Sequence, residues 1–540
     1  MSEKTVSDGT RYGHGDSNPH TVRQHDLEAF KARFRSRTNH GAELLLYLHR
    51  SDCGVWRCEQ DEADPRRWWL NVTLAPNVAE MFDAHLEIQL VYAEYEQVEP
   101  RLLELIQRRI GSNARVDHGL FMIASLDRDV DRLLRRRRGE FAGIDLHLGE
   151  LDSAAPDMRH RMTDVLTAVD HYDMTVPVHN PAGFFGRTEE FQQIISAIER
   201  GQSVGVFGLR KTGKTSLLNY VAGRRRAALR PVVWVDISGL ANADNFRVQL
   251  LERAWESVAA IHSVGELPRL RTLNRSGELK VAIDTMRLHW LRDLETLSRH
   301  AGGRFEVFID EIDQIHPDRS HLGQDEANGM LVAVTQLRGM IQSAESSSGM
   351  VLVCAGVDPA LFERPLLGSG SDNLLYKLVR LMYLAPLTRD EMAEMVRDLG
   401  RRMGVRVRDR KVIDFLYEEY GGHALLTRKA CSLASQKRNR EDIPWHMTLD
   451  AAEAASKERG EGTPFQQAGE ILTSFGEWFP DEAGLLRELW SSDAEERELG
   501  RLLYEEDDRR LAHAGPYGIV LDGTTLPRIR AIERSVGSGA

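Results

Sequence analysis

Between Ser203 and Leu218 the chain reads Ser-Val-Gly-Val-Phe-Gly-Leu-Arg-Lys-Thr-Gly-Lys-Thr-Ser-Leu-Leu. Gly208, Gly213, Lys214 and Thr215 fit G-x-x-x-x-G-K-[ST], a spacing suited to holding phosphate. The glycines let the backbone curl so that successive N–H groups point at phosphate oxygens. On this reading residues Gly208, Leu209, Arg210, Lys211, Thr212, Gly213, Lys214, Thr215 and Ser216 cradle a nucleotide. The Lys214 ammonium reaches the β- and γ-phosphates and acts in catalysis, and the Thr215 hydroxyl ligates Mg²⁺. A plain glycine-rich turn is the alternative, and the flanks argue against it. An apolar run (Val204, Val206, Phe207) precedes the loop, and Thr215–Val221 follows as a helix whose N-terminus attracts anions.

Downstream, Arg304-Phe-Glu-Val-Phe-Ile-Asp-Glu-Ile-Asp-Gln-Ile315 is an apolar strand ending in paired carboxylates. Such an end is common by itself. After a phosphate loop it reads as the second nucleotide element, with Asp310 holding Mg²⁺ and Glu311 polarising the attacking water.

These residues need a sheet beneath them. Ser203–Leu209, Pro231–Ser238, Arg304–Ile309 and Gly349–Gly356 are continuous apolar runs, with a fifth at Leu378–Leu384. Helical patterns separate them, one of them at Lys280–Leu297, which is the mark of a parallel sheet covered on both faces. From Thr388 the pattern turns helical, and Thr388 followed by Glu391 is a capping box. Gly518–Gly523 reads as a wing hairpin in an acidic C-terminal segment.

Residues 26–175 read as a separate open α/β segment. Strands are expected at Leu44–Leu48, Gly54–Cys58, Trp68–Leu74, Gly119–Ser125 and Ile144–Leu148, with Ala79–Ile110 mostly helical and broken at Pro100. Nucleases that pair strand carboxylates with a lysine are poorly matched, because only Lys4 and Lys31 precede the phosphate loop. Asp127, Asp129 and Asp131 could form a metal site, but a solvated helix start accounts for them better. Arg135–Arg138 could grip phosphate, against an exposed helix end.

At 540 residues the chain should hold about three or four domains. Its charged fraction of 28% and apolar fraction of 42% are those of a soluble globular protein. No apolar run approaches the roughly 20 residues that span a bilayer, and the first residues lack a signal core. A cytoplasmic protein with no membrane partner is expected. A net charge of −12 argues against broad coating of nucleic acid. The four cysteines have no Cys-His cluster for zinc and read as free thiols.

Over roughly residues 177–445, and more faintly beyond, the sequence resembles the AAA+-related STAND ATPases, including bacterial and archaeal ATPase-domain regulators. Phe184-Phe-Gly-Arg-Thr-Glu-Glu190 is similar to the family's hhGRxxE motif. Gly208–Thr215, Phe308–Asp313, Tyr383–Glu391 and Gly421-Gly-His-Ala-Leu-Leu426 resemble its phosphate loop, acidic strand, lid start and glycine-His-Pro lid motif. The proline of that last motif is replaced by Ala424. The resemblance implies ATP and Mg²⁺ as ligands and a nucleotide contact from Arg187, for which a salt bridge to Glu189 or Glu190 is the alternative. It also suggests Asp358 as a polar sensor, and Arg364 or Arg380 as phosphate-sensing or finger arginines.

The expected fold class is α/β: a parallel-sheet P-loop ATPase core (176–372), a helical lid (373–445), an N-terminal α/β domain (26–175) behind a disordered tail (1–25), and a C-terminal winged-helix-like domain (446–540). The expected function is a Mg-dependent ATP-hydrolysing regulatory switch, slow or partner-stimulated, in bacterial signalling or anti-phage or plasmid defence. It would oligomerise in the ATP state and answer to an unidentified protein or ligand trigger. The alternative is a DNA-associated AAA+ ATPase of initiator or helicase-loader type, which the acidic C-terminal segment disfavours.

Overall fold

The computed structural model describes residues 24–537 apart from 83, 85–86, 112, 114, 137–140, 153, 169, 174–183, 303, 319–322, 343–348, 437 and 440–441. Almost all of the N-terminal tail, the 176–181 linker and half of the Arg135–Arg138 run therefore lie outside the described residues. The chain divides into two compact units, residues 1–169 with 401–404, and residues 170–400 with 405–540.

The first unit is built on a five-stranded sheet of order β1-β2-β3-β4-β5: β1 Gly54–Gln60, β2 Arg67–Thr73, β3 Glu87–Ala93, β4 Leu120–Ser125 and β5 Ala142–His147. β1 to β3 form an antiparallel meander, and β4 and β5 run parallel to β3. Two sequence expectations fail here. Leu44–Leu48 lies in the helix Gly41–Arg50, where Leu44, Tyr47 and Leu48 are buried and Leu46 is 67% exposed. That is one face of a helix, not the alternation of a strand. The stretch expected to be mostly helical, Ala79–Ile110, contains β3, a central strand buried along its whole length. Its branched and aromatic residues Ile88, Val91 and Tyr92 suit a doubly covered strand. The helix Pro100–Gly111 crosses from β3 toward β4 and packs Leu103 and Ile106 over Val91, Phe121 and Ile123.

The second unit holds a parallel sheet of order β10-β6-β9-β8-β7, formed by β6 Val204–Phe207, β7 Val232–Asp236, β8 Phe305–Asp310, β9 Met350–Gly356 and β10 Arg380–Tyr383. All five strands stand where the apolar runs placed them. β10 lies beyond residue 372, so the core extends past its expected end, because β10 hydrogen-bonds to β6. The 280–297 pattern becomes the helix Ile283–His300, which starts after Val281 and buries Met286, Trp290, Leu294 and Leu297. β6 sits between β10 and β9, so its carboxyl end opens where neighbouring connections diverge, the usual binding crevice of an open α/β sheet.

The helices Arg389–Arg401, Arg410–Tyr420 and Ala424–Ser435 follow. Thr388 and Glu391 form the expected capping box: Thr388 N donates to Glu391 Oε2 at 2.8 Å, and Glu391 N to Thr388 Oγ1 at 3.4 Å. Further on come the helices Pro464–Trp478, Pro480–Leu489, Ala494–Glu506 and Arg530–Gly537. The expected wing at Gly518–Gly523 is a turn closed by a single antiparallel bridge between Val520 and Pro527, not a paired hairpin. His171 and Tyr172 already belong to the second unit, where Arg428 donates to both their carbonyls at 3.1 Å. All four cysteines are buried and unbridged. Among the described residues, no helix is long and apolar enough to cross a membrane.

Candidate functional site

A cavity of about 460 Å³ opens at the carboxyl ends of β6, β7 and β8. Arg210 to Ser216 of the phosphate loop line it, together with Arg187, Asp310 and Glu311. Gly208 lies beneath, where a side chain would come within 2.8 Å of the Leu384 carbonyl, and Gly213 turns the loop at φ +99°. Lys211 is also left-handed, at φ +63°, a conformation that is strained for a non-glycine residue. Leu209 is buried, and its carbonyl accepts from Thr212 Oγ1 at 2.8 Å.

Lys214 starts the helix Lys214–Ala227, and its Nζ donates to the carbonyls of Gly208 (2.9 Å) and Leu209 (2.8 Å). Burial lowers its pKa, and the charges of Glu311, Asp313 and Asp310 oppose that shift. Asp310 ends β8 in register with Asp236 at the end of β7. It is buried, which raises its pKa, while a hydrogen bond with Thr215 pulls the other way. Asp310 and Thr215 are hard oxygen donors at one spot. No histidine or thiol lines the cavity among the described residues, and no cluster of three protein ligands is found among them. That donor set fits Mg²⁺, which takes one or two protein oxygens and leaves its other positions to water and phosphate. Glu311 is left-handed at φ +52° and lines the cavity.

Arg187 forms the salt bridge that was the alternative to a nucleotide contact. It lines the cavity, pairs with Glu190 at 3.0 Å and approaches the Thr212 carbonyl at 3.4 Å. Its backbone N donates to Glu391 Oε1 of the lid at 2.9 Å. The Gly421-Gly-His motif closes the site from the lid side. His423 is fully buried, caps the helix Ala424–Ser435, and puts Nε2 3.3 Å from the Arg210 carbonyl. Its Nδ1 accepts from Leu426 N, so Nε2 carries the proton, and burial lowers its pKa to about 4. The ring is therefore neutral.

Arg364, Arg380 and Asp358 do not line this cavity. Arg380 begins β10 opposite Val204, at the far end of the sheet. Asp358 instead holds the Ala360 amide at 2.9 Å. Arg428 was missed in the sequence although it lines the cavity. Burial lowers its pKa to about 10 against the pull of Asp170 and Asp173, so it remains a cation at neutral pH. The available signal was an arginine one turn into the lid helix, shortly after the Gly421-Gly-His motif. Asp313 was also passed over. It is 1% exposed, and burial, with Glu311 adding to it, raises its pKa to about 7 against the Val357 and Asp358 amides.

Ala424 offers a test of the lid motif. It is the first residue of its helix, where an N–H has no helical partner, and His423 before it lies at φ −68°, ψ 112°. Both conditions admit proline. Ala424→Pro is therefore expected to be tolerated and to stabilise by about 0.4–1 kcal/mol, read as a higher melting temperature with ATP affinity kept. A lower melting temperature would mean that the lid backbone differs from this geometry.

Residues 204–373 match the family described as ATPase family associated with various cellular activities (AAA). No curated protein matches the chain. Among solved structures it is similar to the Walker-type ATPase PABY2304 of Pyrococcus abyssi, at 14% identity over 68% of this chain and 99% of that one, with a TM-score of 0.46. It is also similar to Cdc6p of Pyrobaculum aerophilum, at 14% identity over 68% and 96% with a TM-score of 0.35. A RuvB variant of Thermotoga maritima stands at 15% identity over 64% and 91%, with a TM-score of 0.31. The family match takes in the phosphate loop and the acidic strand. The chain thus carries an AAA ATPase domain and is an ATP-hydrolysing enzyme.

Proposed function

We propose that the chain is a Mg-dependent ATPase switch, in which the nucleotide sets how the lid and C-terminal helices are held. The observation that carries this reading is that the lid hydrogen-bonds to residues of the cavity wall: His423 meets Arg210 of the phosphate loop, and Glu391 meets the backbone of Arg187. Contacts to a γ-phosphate exist only in the ATP state, so they can bias a two-state arrangement. In the reaction, Gly208 to Ser216 and Arg187 hold the triphosphate, Lys214 neutralises developing charge, and Glu311 orients the attacking water. Mg²⁺, held by Thr215 and Asp310, would neutralise the phosphate oxygens. Turnover is slow or raised by a partner, as the STAND resemblance suggests, and signalling or defence is the setting that resemblance favours. Assembly into an oligomer in the ATP state belongs to the same reading.

A second reading, a DNA-associated ATPase, draws on a different observation. A hollow of about 550 Å³ at the amino ends of β6 and β10 is lined by Arg338, Lys377 and Arg380 and by no carboxylate among the described residues. Against it, the helix Ala494–Glu506 carries Glu495, Glu496, Glu498, Glu505 and Glu506, a poor match for a phosphate backbone. ATP hydrolysis by the purified protein with and without duplex DNA separates the two. Slow hydrolysis indifferent to DNA supports the switch, and strong stimulation by DNA moves the assignment to the second reading.

The C-terminal helices also predict a pH response. His513 lies 2.6 Å from Glu482 and 3.3 Å from Glu363, with Phe479 stacked on its ring. Burial acts to lower its pKa, but the two carboxylates raise it to about 9. A group raised in the folded state stabilises fully below its unfolded pKa, about 6.5, and that contribution is lost as pH rises through the folded value. The contribution is at most about 3 kcal/mol. His513→Gln should lower the melting temperature at pH 6–7 and have little further effect above pH 10. An equal deficit at both pH values would rule out the charged bridge.

A further inference from the structure

The acidic strand and the C-terminal helices meet at one turn. β9 ends at Gly356, and the chain passes through Val357 and Asp358 into the short helix Ala360–Glu363. Asp313 reaches this turn from one side, its Oδ2 accepting from Val357 N at 2.6 Å and Asp358 N at 3.2 Å. A side chain at Gly356 would come within 2.9 Å of that carboxyl group, so glycine is what lets Asp313 in. Tyr517 reaches the turn from the other side. It is fully buried and donates its hydroxyl to the Val357 carbonyl. Four residues earlier, His513 binds Glu363 at the end of the same short helix, and Tyr383 of β10 donates to that carboxylate as well. Val357 is therefore held through its N–H by the acidic strand and through its C=O by the C-terminal segment.

Asp313 stands two residues beyond Glu311, inside the 3₁₀ turn Ile312–Ile315 that Glu311 enters from a left-handed conformation. Gln314 N donates to the Glu311 carbonyl at 3.1 Å and His316 N to the Asp313 carbonyl at 3.0 Å, so a change in the backbone at Glu311 is carried through this bonded turn to Asp313. Asp313 also has a feature that a purely structural role does not need. Its Oδ1 is buried with no hydrogen-bond partner. A buried carboxylate left half satisfied is costly, and a second arrangement of the turn would give that oxygen a use.

We propose that Asp313 is a positioning residue that couples Glu311 to the C-terminal segment, through the Val357 peptide and Tyr517. The proposal rests on the switch reading and names the route by which the nucleotide is sensed. Movement of Glu311 against the γ-phosphate and its water shifts Asp313. The Val357 and Asp358 amides follow, and the Val357 carbonyl transmits the shift to Tyr517. The same route runs in reverse: a partner that pulls on the helices around Tyr517 alters where Glu311 stands, and so the rate of hydrolysis.

The test uses the full-length protein and its Tyr517→Phe variant, which loses one hydroxyl and keeps the ring. Amide hydrogen exchange over residues 511–537 is compared with ADP and with a β,γ-imido ATP analogue, both with Mg²⁺, beside kcat and KM for ATP. In the wild type, protection should differ between the two nucleotides. Tyr517→Phe should remove about half or more of that difference and change kcat by about threefold or more while KM stays within about twofold. Glu482→Gln, which loosens the His513 end without touching Val357, should lower protection equally with both nucleotides. A full nucleotide-dependent difference in Tyr517→Phe with unaltered kcat would overturn the route and leave the switch standing. So would a Glu482→Gln variant that behaves like Tyr517→Phe. Absence of any difference in the wild type would overturn the switch itself.

Discussion

Lys214→Ala is expected to lose ATP binding, with the dissociation constant rising about 100-fold or more, at least about 2.7 kcal/mol. The reason is electrostatic. Lys214 is the cation buried among Asp310, Glu311 and Asp313. Without it, those carboxylates face an incoming triphosphate with no opposing charge from the loop helix. A charge-assisted bond to phosphate is worth more than a neutral one, and burial strengthens it further. Folding should suffer much less. Its bonds to the Gly208 and Leu209 carbonyls are lost, at about 1–2 kcal/mol, but the variant no longer buries an ammonium. Calorimetric titration with Mg-ATP and a thermal melt on the same sample decide it. Unchanged ATP affinity in a folded variant would remove the phosphate-loop assignment.

That prediction could be written from the sequence because the loop's geometry is local. Gly208 to Thr215 is a single turn between a strand and a helix, and its residue types follow from backbone conformation: Gly213 at φ +99°, and Gly208 against the Leu384 carbonyl. Asp310 and Glu311 were legible for a similar reason, since they end an apolar run. Even the Thr388–Glu391 box could be read, because both partners lie within one helical turn.

What was illegible depends on distant pairing. Five parallel strands with continuous apolar runs look alike, so nothing local places β10 beside β6 or sets Asp236 in register with Asp310. β3 is not legible as a strand because one covered on both faces has no alternation to detect. Leu44–Leu48 failed the opposite way: five apolar residues in a row suggested a strand, yet only one helical face is buried. Arg428 lines the cavity only because the lid folds back over a loop some 200 residues earlier. The role of Asp313 is defined by two amides at Val357 and Asp358, which the sequence alone does not bring near it.

Glu311→Gln should separate chemistry from binding. Gln keeps the volume and the left-handed backbone that Glu311 adopts, but it cannot accept a proton from water at neutral pH. kcat should fall about 10²–10⁴-fold, the usual contribution of a positioned base, while ATP affinity stays within about twofold. The neighbouring charges make a second, independent prediction. Glu311 raises the pKa of both Lys214 and Asp313. Removing its charge moves both downward, so Asp313 is more fully ionised at neutral pH and its bonds to Val357 and Asp358 strengthen. The variant should therefore hold bound ATP without turnover. It should also show more protection at 356–363 than the wild type. Single-turnover hydrolysis with radiolabelled ATP, run beside equilibrium binding, reads the first effect, and hydrogen exchange reads the second. Normal hydrolysis would show that another group orients the water. Among the described residues lining the cavity the remaining carboxylates are Asp310, which is bonded to Thr215 and to the Glu311 amide, and Asp236 at the end of β7, so Asp236→Asn would be the variant to measure next.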